Sequence, residues 1–366
     1  MVDLREVTRL SNALTIGIVG GGVAGSSCAQ VLGAAGVRTL VFDHSHPREK
    51  ACGGLIEERV VGEFDIPEEL LENEVRWCLA ERFGFRVKLA FKPSMYLVSR
   101  KDFDYYLLKR ATENKSVTFL PEKVVSIAKM KEGWTLGTNN HKRVKVNVLI
   151  GADGCPSFIR SLVFKPIYRG FLAAAFGYNL TCPTKFIQRA FSKNTIEVYY
   201  LHECVRKGGY IWIFPKKSSI NIGIGGMDRV GRLKESLETF IMSHPAGKRF
   251  KQLKGSAFAH LVPAVWMVDF FDLPCAGEDW ALLGDAAGHV NSIAGAGIYY
   301  AMKGGALCGQ AILDGDLSLF ERYWRNEYGE ELHYGAKNVL QFYSNLGLFF
   351  WLRYIFENLL GRLNLG

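Results

Sequence analysis

Proline is scarce in this 366-residue chain, and its cysteines are unpaired in sequence. The 11 prolines stand against 39 glycines, and the sequence shows no internal repeat or low-complexity segment. This composition excludes a collagen-like fibre and a disordered protein. The eight cysteines form no Cys-x-x-Cys pair, so paired zinc or redox spacing is absent. Glycine in excess of proline instead predicts tight turns and backbone packed against a ligand.

The sequence also lacks a recognisable secretory signal and a long hydrophobic run. The start carries Asp3 and Glu6 without an apolar stretch, so we expect a reduced cytosolic compartment. The uncharged segment 338–352 is shorter than the ~20 residues of a membrane span. Charged residues then recur at near-helical spacing up to Arg362, as in an amphipathic helix at a membrane interface. Peripheral membrane association is one prediction, and a C-terminal helix docked on the protein's own core is the alternative.

Acidic residues are the minority among the charged ones. The 45 Lys and Arg and the 36 Asp and Glu give a net charge of +9, which attracts phosphates, anionic lipid or nucleic acid. Lys216–Lys217 and the basic residues of 248–254 are candidate contacts for a substrate phosphate or anionic lipid. A solvated surface is the alternative. No helix-turn-helix, RNP or zinc-finger pattern occurs, so we expect no nucleic acid partner.

Strand-like and helix-like segments alternate along the chain. Thr15–Val19 and Arg38–Phe42 flank a glycine turn and a small-residue stretch, which predicts a strand–helix–strand unit. Residues 144–150 predict a further strand, and residues 170–227 alternate apolar and polar positions as in antiparallel sheet. Helical patterning returns at about 232–252 and again after Gly297. The sheet-like stretch separates the nucleotide-type segments, which predicts two interleaved domains.

A Gly-x-Gly-x-x-Gly loop follows the first predicted strand. In Gly20–Gly25 the first glycine permits the tight turn, the second lets a pyrophosphate approach the backbone, and the third permits close packing of helix on strand. The phosphates would lie at the N-terminus of the following helix. Asp43, after the second strand, is placed to bind ribose hydroxyls. The loop alone leaves NAD and FAD open.

Two later motifs favour FAD. Residues 146–160 resemble the strand–Asp-Gly segment of flavoprotein hydroxylases, with matches at Asp153, Gly154, Ser157 and Arg160. Residues 280–301 resemble the second FAD motif of that superfamily. There Asp285 matches the aspartate that binds the ribityl and pyrophosphate region, and Gly295 and Gly297 match glycines that open a helix facing the isoalloxazine ring. A helix N-terminus favours the anionic reduced flavin.

Two further segments carry a finer resemblance: residues 50–55 read Lys-Ala-Cys-Gly-Gly-Leu, and residues 208–225 contain Tyr-x-Trp-x-Phe-Pro followed by Gly-x-Gly. They resemble segments of the geranylgeranyl reductases, including archaeal enzymes that saturate prenyl lipid chains. Residues 50–55 resemble the family's cysteine–glycine stretch, and residues 208–225 its Tyr-x-Trp-x-Phe-Pro element followed by Gly-x-Gly. The resemblance implies an FAD-dependent reductase in which an aromatic strand lines the prenyl cavity. It implies a catalytic or conformational role for Cys52 and catalytic roles for Tyr210 and Trp212. The substrate residues that it implies are Tyr210, Trp212, Phe214 and Pro215.

The resemblance also implies a fold and a cofactor site. The expected fold is α/β, with an FAD-binding Rossmann-like domain of glutathione-reductase type interleaved with an antiparallel-sheet substrate domain. The FAD-binding domain is assigned to residues 11–75, 96–165 and 266–320, the substrate domain to 76–95 and 166–265, and a C-terminal helical region to 321–366. The implied cofactor-binding residues are Gly20, Gly22, Ala24, Gly25, Asp43, Cys52, Gly53, Leu55, Arg100, Val124, Asp153, Asp285, Gly295, Gly297 and Ile298. No metal site is implied.

The chain departs from the family at two places. Lys207 stands where a proline often precedes the aromatic element, and Ser292 stands where a proline often follows the asparagine of the second FAD motif. A flavin monooxygenase or halogenase shares the three FAD motifs and is the alternative enzyme. A non-catalytic prenyl-binding carrier is the alternative outside enzymes. The expected partners are an isoprenoid lipid substrate, ferredoxin or NAD(P)H as electron donor, and a membrane surface.

Overall fold

The computed structural model describes residues 14–82, 84–201 and 208–344. The described residues form two compact units that alternate along the chain. The chain passes from one unit to the other at Arg48/Glu49, Arg100/Lys101, Phe171/Leu172, Trp266/Met267 and Ala336/Lys337. The first unit contains the dinucleotide loop, and the second contains the aromatic strand.

Both units contain α-helices and strands. The helices are α1 (Val23–Ala34), α2 (Glu58–Glu63), α3 (Arg100–Thr112), α4 (Phe158–Val163), α5 (Thr184–Ala190), α6 (Val230–Ser243), α7 (Pro245–Lys248), α8 (Ile298–Leu313), α9 (Leu319–Trp324) and α10 (Glu330–Tyr343). The strands are β1 (Thr15–Val19), β2 (Arg38–Phe42), β3 (Leu55–Glu57), β4 (Leu71–Arg82), β5 (Phe85–Val98), β6 (Val117–Leu120), β7 (Val124–Lys129), β8 (Trp134–Thr138), β9 (Arg143–Val146), β10 (Val148–Gly151), β11 (Leu172–Thr181), β12 (Thr195–Tyr200), β13 (Gly209–Pro215), β14 (Ser219–Gly226), β15 (Gly255–Pro263) and β16 (Trp280–Leu282).

A parallel five-stranded sheet forms the centre of the first unit. Its strand order is β16-β10-β1-β2-β6, and every pairing is parallel. Helices α1 and α8 pack together because glycines allow a close approach: a Cβ on Gly305 would lie 2.2 Å from the Ala24 carbonyl oxygen. This is the Rossmann-like fold that the glycine loop predicted.

The segment 144–150, predicted as one strand, forms two. β9 belongs to the three-stranded sheet β7-β8-β9, whereas β10 belongs to the parallel sheet. Asn147 separates them: its backbone N–H donates to the Thr15 carbonyl at 2.8 Å, and its side-chain oxygen accepts from the Thr15 N–H at 2.8 Å. These two bonds fix the start of β1 at the point where the chain changes sheet.

An eight-stranded sheet forms the second unit, in the order β15-β11-β14-β13-β12-β4-β5-β3. All its pairings are antiparallel except that of β12 with β4. One face of β13 and β14 packs in a core with α6, through Ile211, Ile213 and Ile222 against residues such as Leu237 and Phe240. The opposite face of β13 therefore carries the even-numbered residues.

The boundaries of the two units differ from the predicted domains. Residues 49–75 and 96–100 belong to the second unit, whereas the sequence assigned them to the FAD-binding domain. The reason is strand pairing: β3 pairs with β5 through Leu55–Leu97, so this segment completes the eight-stranded sheet. The predicted interfacial helix falls largely in residues 345–366, which lie outside the described residues. Lys207 also lies outside the described residues. Among the described residues, no helix combines the length and apolarity needed to cross a bilayer.

Candidate active site

The dinucleotide loop joins β1 to α1. Gly20 has φ +110°, and a Cβ there would lie 2.2 Å from the Ala152 carbonyl oxygen. A Cβ on Gly25 would lie 1.9 Å from the Gly20 carbonyl oxygen. Gly22 differs, because among the described residues only a guanidinium nitrogen of Arg48, at 3.4 Å, lies near its Cβ position. Two glycines thus shape the turn, and Gly22 presents bare backbone at the helix N-terminus.

Asp43 closes the loop from the end of β2. Its Oδ2 accepts the Gly21 N–H at 2.9 Å, and its Oδ1 accepts the Ser45 N–H and hydroxyl at 2.9 and 2.5 Å. The His46 ring lies 3.4 Å from Oδ2. Burial raises the pKa of Asp43, but the nearby His46 ring and the hydrogen bonds from Ser45 and Gly21 outweigh burial and hold the pKa well below its usual value. Asp43 is therefore a permanent carboxylate beside the loop.

Arg48 adds a cation that was not among the predicted site residues. Its guanidinium lies 4.0 Å from Asp43 Oδ2 and close to Gly22. A partly exposed arginine at a helix N-terminus suits a phosphate, which accepts bidentate hydrogen bonds. The only sequence signal was a basic residue shortly after the ribose-binding acid. Loop, carboxylate and guanidinium together fit the adenosine diphosphate half of a dinucleotide.

The Asp153 segment has a clear local role. Asp153 Oδ2 accepts the backbone N–H groups of Phe158 and Ile159 at 2.7 and 3.0 Å, and Oδ1 accepts the Ser157 hydroxyl at 2.6 Å. Burial raises the pKa of Asp153, although these hydrogen bonds act to lower it. The carboxyl group thus binds the free N–H groups at the start of α4, whose N-cap is Ser157. Arg160, 3% exposed, then donates to the Ala286 carbonyl at 3.2 Å and ties this segment to the second FAD motif.

The second FAD motif forms a tight loop that ends at α8. Asn291 and Ala296 form an isolated bridge, and Gly295, with φ +62°, donates its N–H to the Asn291 carbonyl at 2.8 Å. Gly297 is the N-cap of α8 without a side-chain capping bond. A Cβ on Gly297 would lie 3.5 Å from Asp285 Oδ1. The motif thus brings a carboxylate and a helix N-terminus together, which suits the hydroxyl and anionic groups of a flavin nucleotide.

Other predicted cofactor residues have different surroundings. Ala24 and Ile298 lie in the first turns of α1 and α8, and Val124 lies in β7 of the three-stranded sheet. All three are buried. Leu55 and Arg100, which is 2% exposed, belong to the second unit with Cys52 and Gly53.

The pairing of β13 with β14 explains where the aromatic side chains of the second unit lie. In the β13–β14 pair, Tyr210 lies opposite Gly225, Trp212 opposite Gly223, and Phe214 opposite Asn221. A Cβ on Gly223 would lie 2.2 Å from the Trp212 ring. The Gly-x-Gly element is therefore the floor on which the tryptophan ring lies. Neighbouring ring centroids are 6.0 Å apart for Tyr210–Trp212 and 6.4 Å for Trp212–Phe214.

Asn221, which was not among the predicted site residues, connects this strand to the cysteine–glycine segment. Its Oδ1 accepts the Trp212 indole N–H at 2.6 Å. Its amide group donates to the Cys52 carbonyl at 3.2 Å and to Asn179 Oδ1 at 2.6 Å. Asn221 is 1% exposed, so these bonds form away from water and fix the ring and the loop together.

The Cys52–Gly54 segment packs on the aromatic face. A Cβ on Gly53 would lie 2.4 Å from the Phe214 ring. Gly54 has φ +77°, and its N–H lies 3.4 Å from the Cys52 sulfur. Cys52 is partly exposed, whereas the other cysteines of the described residues are buried. The thiol is therefore the accessible one beside the aromatic strand, whose Pro215 ends β13.

Lys216 and Lys217, predicted as one basic cluster, have opposite environments. Lys217 is exposed, and its backbone N–H donates to Glu72 Oε2 at 3.0 Å. Lys216 is 4% exposed, and its Nζ lies 3.4 Å from the Cβ position of Gly54. Burial lowers the pKa of Lys216. The interpretation as a solvated surface is wrong for Lys216, because the turn after β13 directs its side chain under the cysteine–glycine segment.

Comparison with known proteins confirms the resemblance to geranylgeranyl reductases. Residues 180–257 match the geranylgeranyl reductase catalytic domain, and residues 18–87 match an NAD(P)-binding Rossmann-like domain. The chain is 29% identical to geranylgeranyl diphosphate reductase of Synechocystis, over 86% of this chain and 82% of the relative. It is 27% identical to digeranylgeranylglycerophospholipid reductase of Methanocaldococcus jannaschii, over 91% and 88%.

Solved structures share the fold. A geranylgeranyl bacteriochlorophyll reductase-like protein of Thermoplasma acidophilum matches with a TM-score of 0.73 and 22% identity, covering 89% of this chain and 86% of that protein. The flavin-dependent brominase Bmp2 matches with a TM-score of 0.71 and 17% identity, covering 92% and 88%. At these identities the likeness shows the fold, which reductases share with halogenases.

Proposed function

We propose that this chain is an FAD-dependent reductase that saturates carbon–carbon double bonds of geranylgeranyl or related isoprenoid chains. The observation that carries the proposal is the strand Tyr210–Pro215 on its Gly-x-Gly floor, within the segment that matches the geranylgeranyl reductase catalytic domain. The two relatives described above are named for substrates with geranylgeranyl chains.

FAD would be held by the residues of the first unit that fit it. Gly22 and the N-terminus of α1 would hold the pyrophosphate, and Asp43 would accept from the ribose hydroxyls. Asp285 would accept from the ribityl chain, and the α8 N-terminus at Gly297 would favour the reduced ring. Bound FAD would supply a hydride at N5.

The alkene demands particular surroundings from the protein. An isolated double bond has no carbonyl group to polarise, so a proton must reach one carbon and a hydride the other. Tyr210 and Trp212 offer flat apolar faces that exclude water and stabilise developing positive charge. Burial holds the pKa of Tyr210 well above its usual value, so its hydroxyl stays protonated at neutral pH. Asn221 keeps the Trp212 ring in place.

Cys52 is the proposed reactive neighbour of this surface. It is partly exposed, and its sulfur lies within hydrogen-bond range of the Gly54 N–H. We expect Cys52→Ser to lower the turnover of the alkene while the FAD content stays the same. Equal turnover in the variant would remove Cys52 from the mechanism.

Reduction with dithionite tests the activity without a physiological electron donor. The reduced protein is mixed with geranylgeranyl diphosphate, prenyl ether lipid or a prenylated quinone, and mass spectrometry detects added pairs of hydrogen. No gain with any of the three would overturn the proposal. The same assay with NAD(P)H or ferredoxin identifies the donor.

The alternatives give different results in the same preparation. A monooxygenase or halogenase consumes oxygen when it receives substrate and NAD(P)H, without hydrogenated product. The residues Tyr210 and Phe214 favour the reductase, because halogenases tend to carry tryptophan and isoleucine at these positions. A colourless protein that binds prenyl lipid without FAD would indicate a carrier.

Peripheral membrane association is part of the proposal. It rests on the apolar and amphipathic sequence from residue 338 onward. The guanidinium of Arg82 donates to the carbonyls of Phe342 and Ser344 at 2.6 and 3.1 Å, so a truncation after Ser344 retains this anchor. We expect the truncated chain to lose binding to anionic liposomes, and unchanged partitioning would refute the proposal.

A further inference from the structure

One end of the eight-stranded sheet carries a cluster of exposed basic side chains. Thr181, at the end of β11, pairs with Ser219 at the start of β14. Leu180 pairs with Gly255 at the start of β15. Because β13 is antiparallel to β12 and β14, it ends where both of them begin. We define the basic end as the six exposed residues in the segments that join these strand termini: Lys185, Arg189, Lys193, Lys217, Lys251 and Lys254.

Hydrogen bonds hold the segments of the basic end side by side. The Thr181 N–H donates to the Lys254 carbonyl at 3.1 Å. The Thr184 hydroxyl, in the first turn of α5, donates to the Lys217 carbonyl at 3.0 Å. The backbone of Lys254 and of Lys217 therefore borders the segment that leads into α5, which carries two further residues of the basic end.

Acidic residues are absent from the segments that form the basic end. Residues 181–193, 216–219 and 248–255 contain no Asp or Glu. Glu197, in the adjoining β12, is 6% exposed and pairs with Arg249. Its charge is thus already compensated, and the basic end presents a positive surface to the solvent.

An acidic margin flanks this surface on one side. β4 is parallel to β12 and begins at the same end of the sheet, and residues 68–74 contain four glutamates. Glu72 accepts the Lys217 N–H at 3.0 Å, and Glu74 pairs with Arg76. A partner of the basic end must therefore be negatively charged and small enough to avoid this margin.

The basic end adjoins the segment that is predicted to contact the flavin. Lys217 directly follows Lys216, whose Nζ lies 3.4 Å from the Cβ position of Gly54. The two residues before Gly54, Cys52 and Gly53, are among the predicted cofactor-binding residues. A protein docked at the basic end would thus lie next to this segment, which is where an electron donor has to be.

The C-terminal sequence proposed to contact a membrane starts from the opposite end of the sheet. β4 begins at the basic end and finishes at Arg82, whose guanidinium donates to the carbonyls of Phe342 and Ser344 at 2.6 and 3.1 Å. The proposed membrane segment continues from there. This arrangement favours a partner in solution over a bilayer at the basic end.

The residue types of the basic end favour a brief contact that is guided by charge. Five of the six residues are lysines, which are strongly hydrated point charges. Stable protein interfaces are depleted in lysine. Weak redox encounters, in contrast, bury little surface and are accelerated by complementary charge. The surface therefore suits an acidic redox partner that binds and leaves quickly.

We propose that the basic end docks a small acidic electron-carrier protein, such as a ferredoxin, that supplies the flavin with electrons. The proposal rests on the proposed function and adds to it the electron donor and the surface that binds the donor. Two reduced carriers each give up one electron. With two protons, these electrons convert one carbon–carbon double bond into a single bond with two new C–H bonds, and two oxidised carriers leave.

The test neutralises three lysines of the basic end in one chain. Lys185→Gln, Lys217→Gln and Lys254→Gln remove charge from exposed positions, so the fold should be retained. We expect kcat/KM for reduced ferredoxin to fall about 10- to 100-fold at low salt, since steering by charge is lost. The difference should disappear near about 1 M salt, where the Debye length is about 3 Å. Turnover with dithionite, which needs no docking, stays unchanged.

Two control variants separate charge at the basic end from net charge and from local structure. Lys115→Gln, Lys131→Gln and Lys145→Gln in one chain change the net charge equally, at exposed positions of the first unit. Replacing the three basic-end lysines by arginine keeps their charge. Both controls should retain the original kcat/KM. Calorimetry with oxidised ferredoxin measures docking apart from turnover, and the Kd should rise about 10-fold in the basic-end glutamine variant alone.

The outcomes separate this proposal from the proposed function. If no alkene is reduced but ferredoxin still bleaches the flavin through the basic end, the reductase function fails and the docking surface stands. Equal use of ferredoxin by the basic-end and control variants overturns the docking surface while the reductase function remains, as does a flavin that NAD(P)H reduces and ferredoxin does not. A basic-end variant that loses only its binding to vesicles of phosphatidylcholine and phosphatidylglycerol assigns the surface to a membrane and also overturns the proposal.

Discussion

Trp212 lies directly opposite Gly223 in the β13–β14 register, and a Cβ on Gly223 would come within 2.2 Å of its ring. The Tyr-x-Trp-x-Phe-Pro and Gly-x-Gly elements are therefore one structure. The aromatic residues form a surface, and the glycines of the neighbouring strand provide its floor. Cross-strand pairs of this kind decide where large side chains can lie on a sheet.

Gly223→Ala should displace the Trp212 ring. We expect a loss of about 1–3 kcal/mol in the free energy of unfolding from overpacking, and a marked fall in alkene turnover with an unchanged FAD content. Gly225→Ala is the control, because its Cβ would lie 3.6 Å from the same ring, an ordinary contact. Thermal unfolding and turnover are measured for both. Equal effects of the two variants would contradict the role of Gly223 as the floor.

Asn221→Leu should uncouple the Trp212 ring from the Cys52 segment. The variant leaves the indole N–H and the Asn179 oxygen without a partner, and we expect unfolding to cost about 2–4 kcal/mol less. Adding Trp212→Phe removes one of the orphaned groups and should restore part of the loss. A double-mutant cycle from denaturant unfolding measures the coupling. Strict additivity would show that the bond at 2.6 Å contributes nothing.

Gly25→Ala should abolish FAD binding. Its Cβ would lie 1.9 Å from the Gly20 carbonyl oxygen, so the loop and α1 must separate. Gly231→Ala, in the first turn of α6 with open space around it, makes the matched control and should retain full FAD content. The ratio of flavin to protein absorbance measures the effect. A stoichiometric flavin content in Gly25→Ala would refute the role of the loop.

His289 should make the stability of the protein depend on pH. It is 1% exposed and lies 3.1 Å from the Tyr328 hydroxyl. Burial, assisted by Arg160 and Arg325, lowers the pKa of His289 to about 3. The unfolded state, with a pKa of about 6.5, binds a proton between these values that the folded state does not. The contribution of neutral His289 to the free energy of unfolding is therefore complete above about pH 6.5 and is lost as the pH falls from there towards 3.

The measurement compares the original chain with His289→Gln, which cannot titrate. The free energy of unfolding of the original chain, minus that of His289→Gln, should fall by about 2 kcal/mol between pH 7 and pH 5. Parallel curves for the two proteins over that range would contradict the assignment. The comparison cancels the titration of the carboxylates, which both proteins share.

The sequence predicted best what depends on neighbouring residues. Thr15–Val19 and Arg38–Phe42 are strands at the predicted bounds, since short β-branched runs beside a glycine turn have few alternatives. The sequence also predicted the glycine loop, the start of α8 at Gly297 and the aromatic strand, because each is a motif of a few neighbouring residues. Their roles in binding stay predictions until the experiments above are made.

What the sequence missed depends on distant pairing. The burial of Lys216 cannot be inferred from the pair Lys216–Lys217, because it follows from the Gly54 segment lying above it. Residues 49–75 join the second unit because β3 pairs with β5, some forty residues later in the chain. Asn221 carried no local signal, since its importance lies in three partners from β11, β13 and the Cys52 loop.

The alternation of the two units along the chain has a consequence for biosynthesis. The last strand of the eight-stranded sheet, β15, ends at Pro263, whereas α8, which packs on α1, ends at Leu313. At about 5–20 residues per second on the ribosome, the N-terminal strand and glycine loop wait roughly 3–10 seconds longer for their last helix than the substrate sheet waits for its last strand. The parallel sheet thus begins before the eight-stranded sheet but receives its last strand, β16, and helix α8 after it, so a nascent chain exposes an unfinished parallel sheet that chaperones would protect.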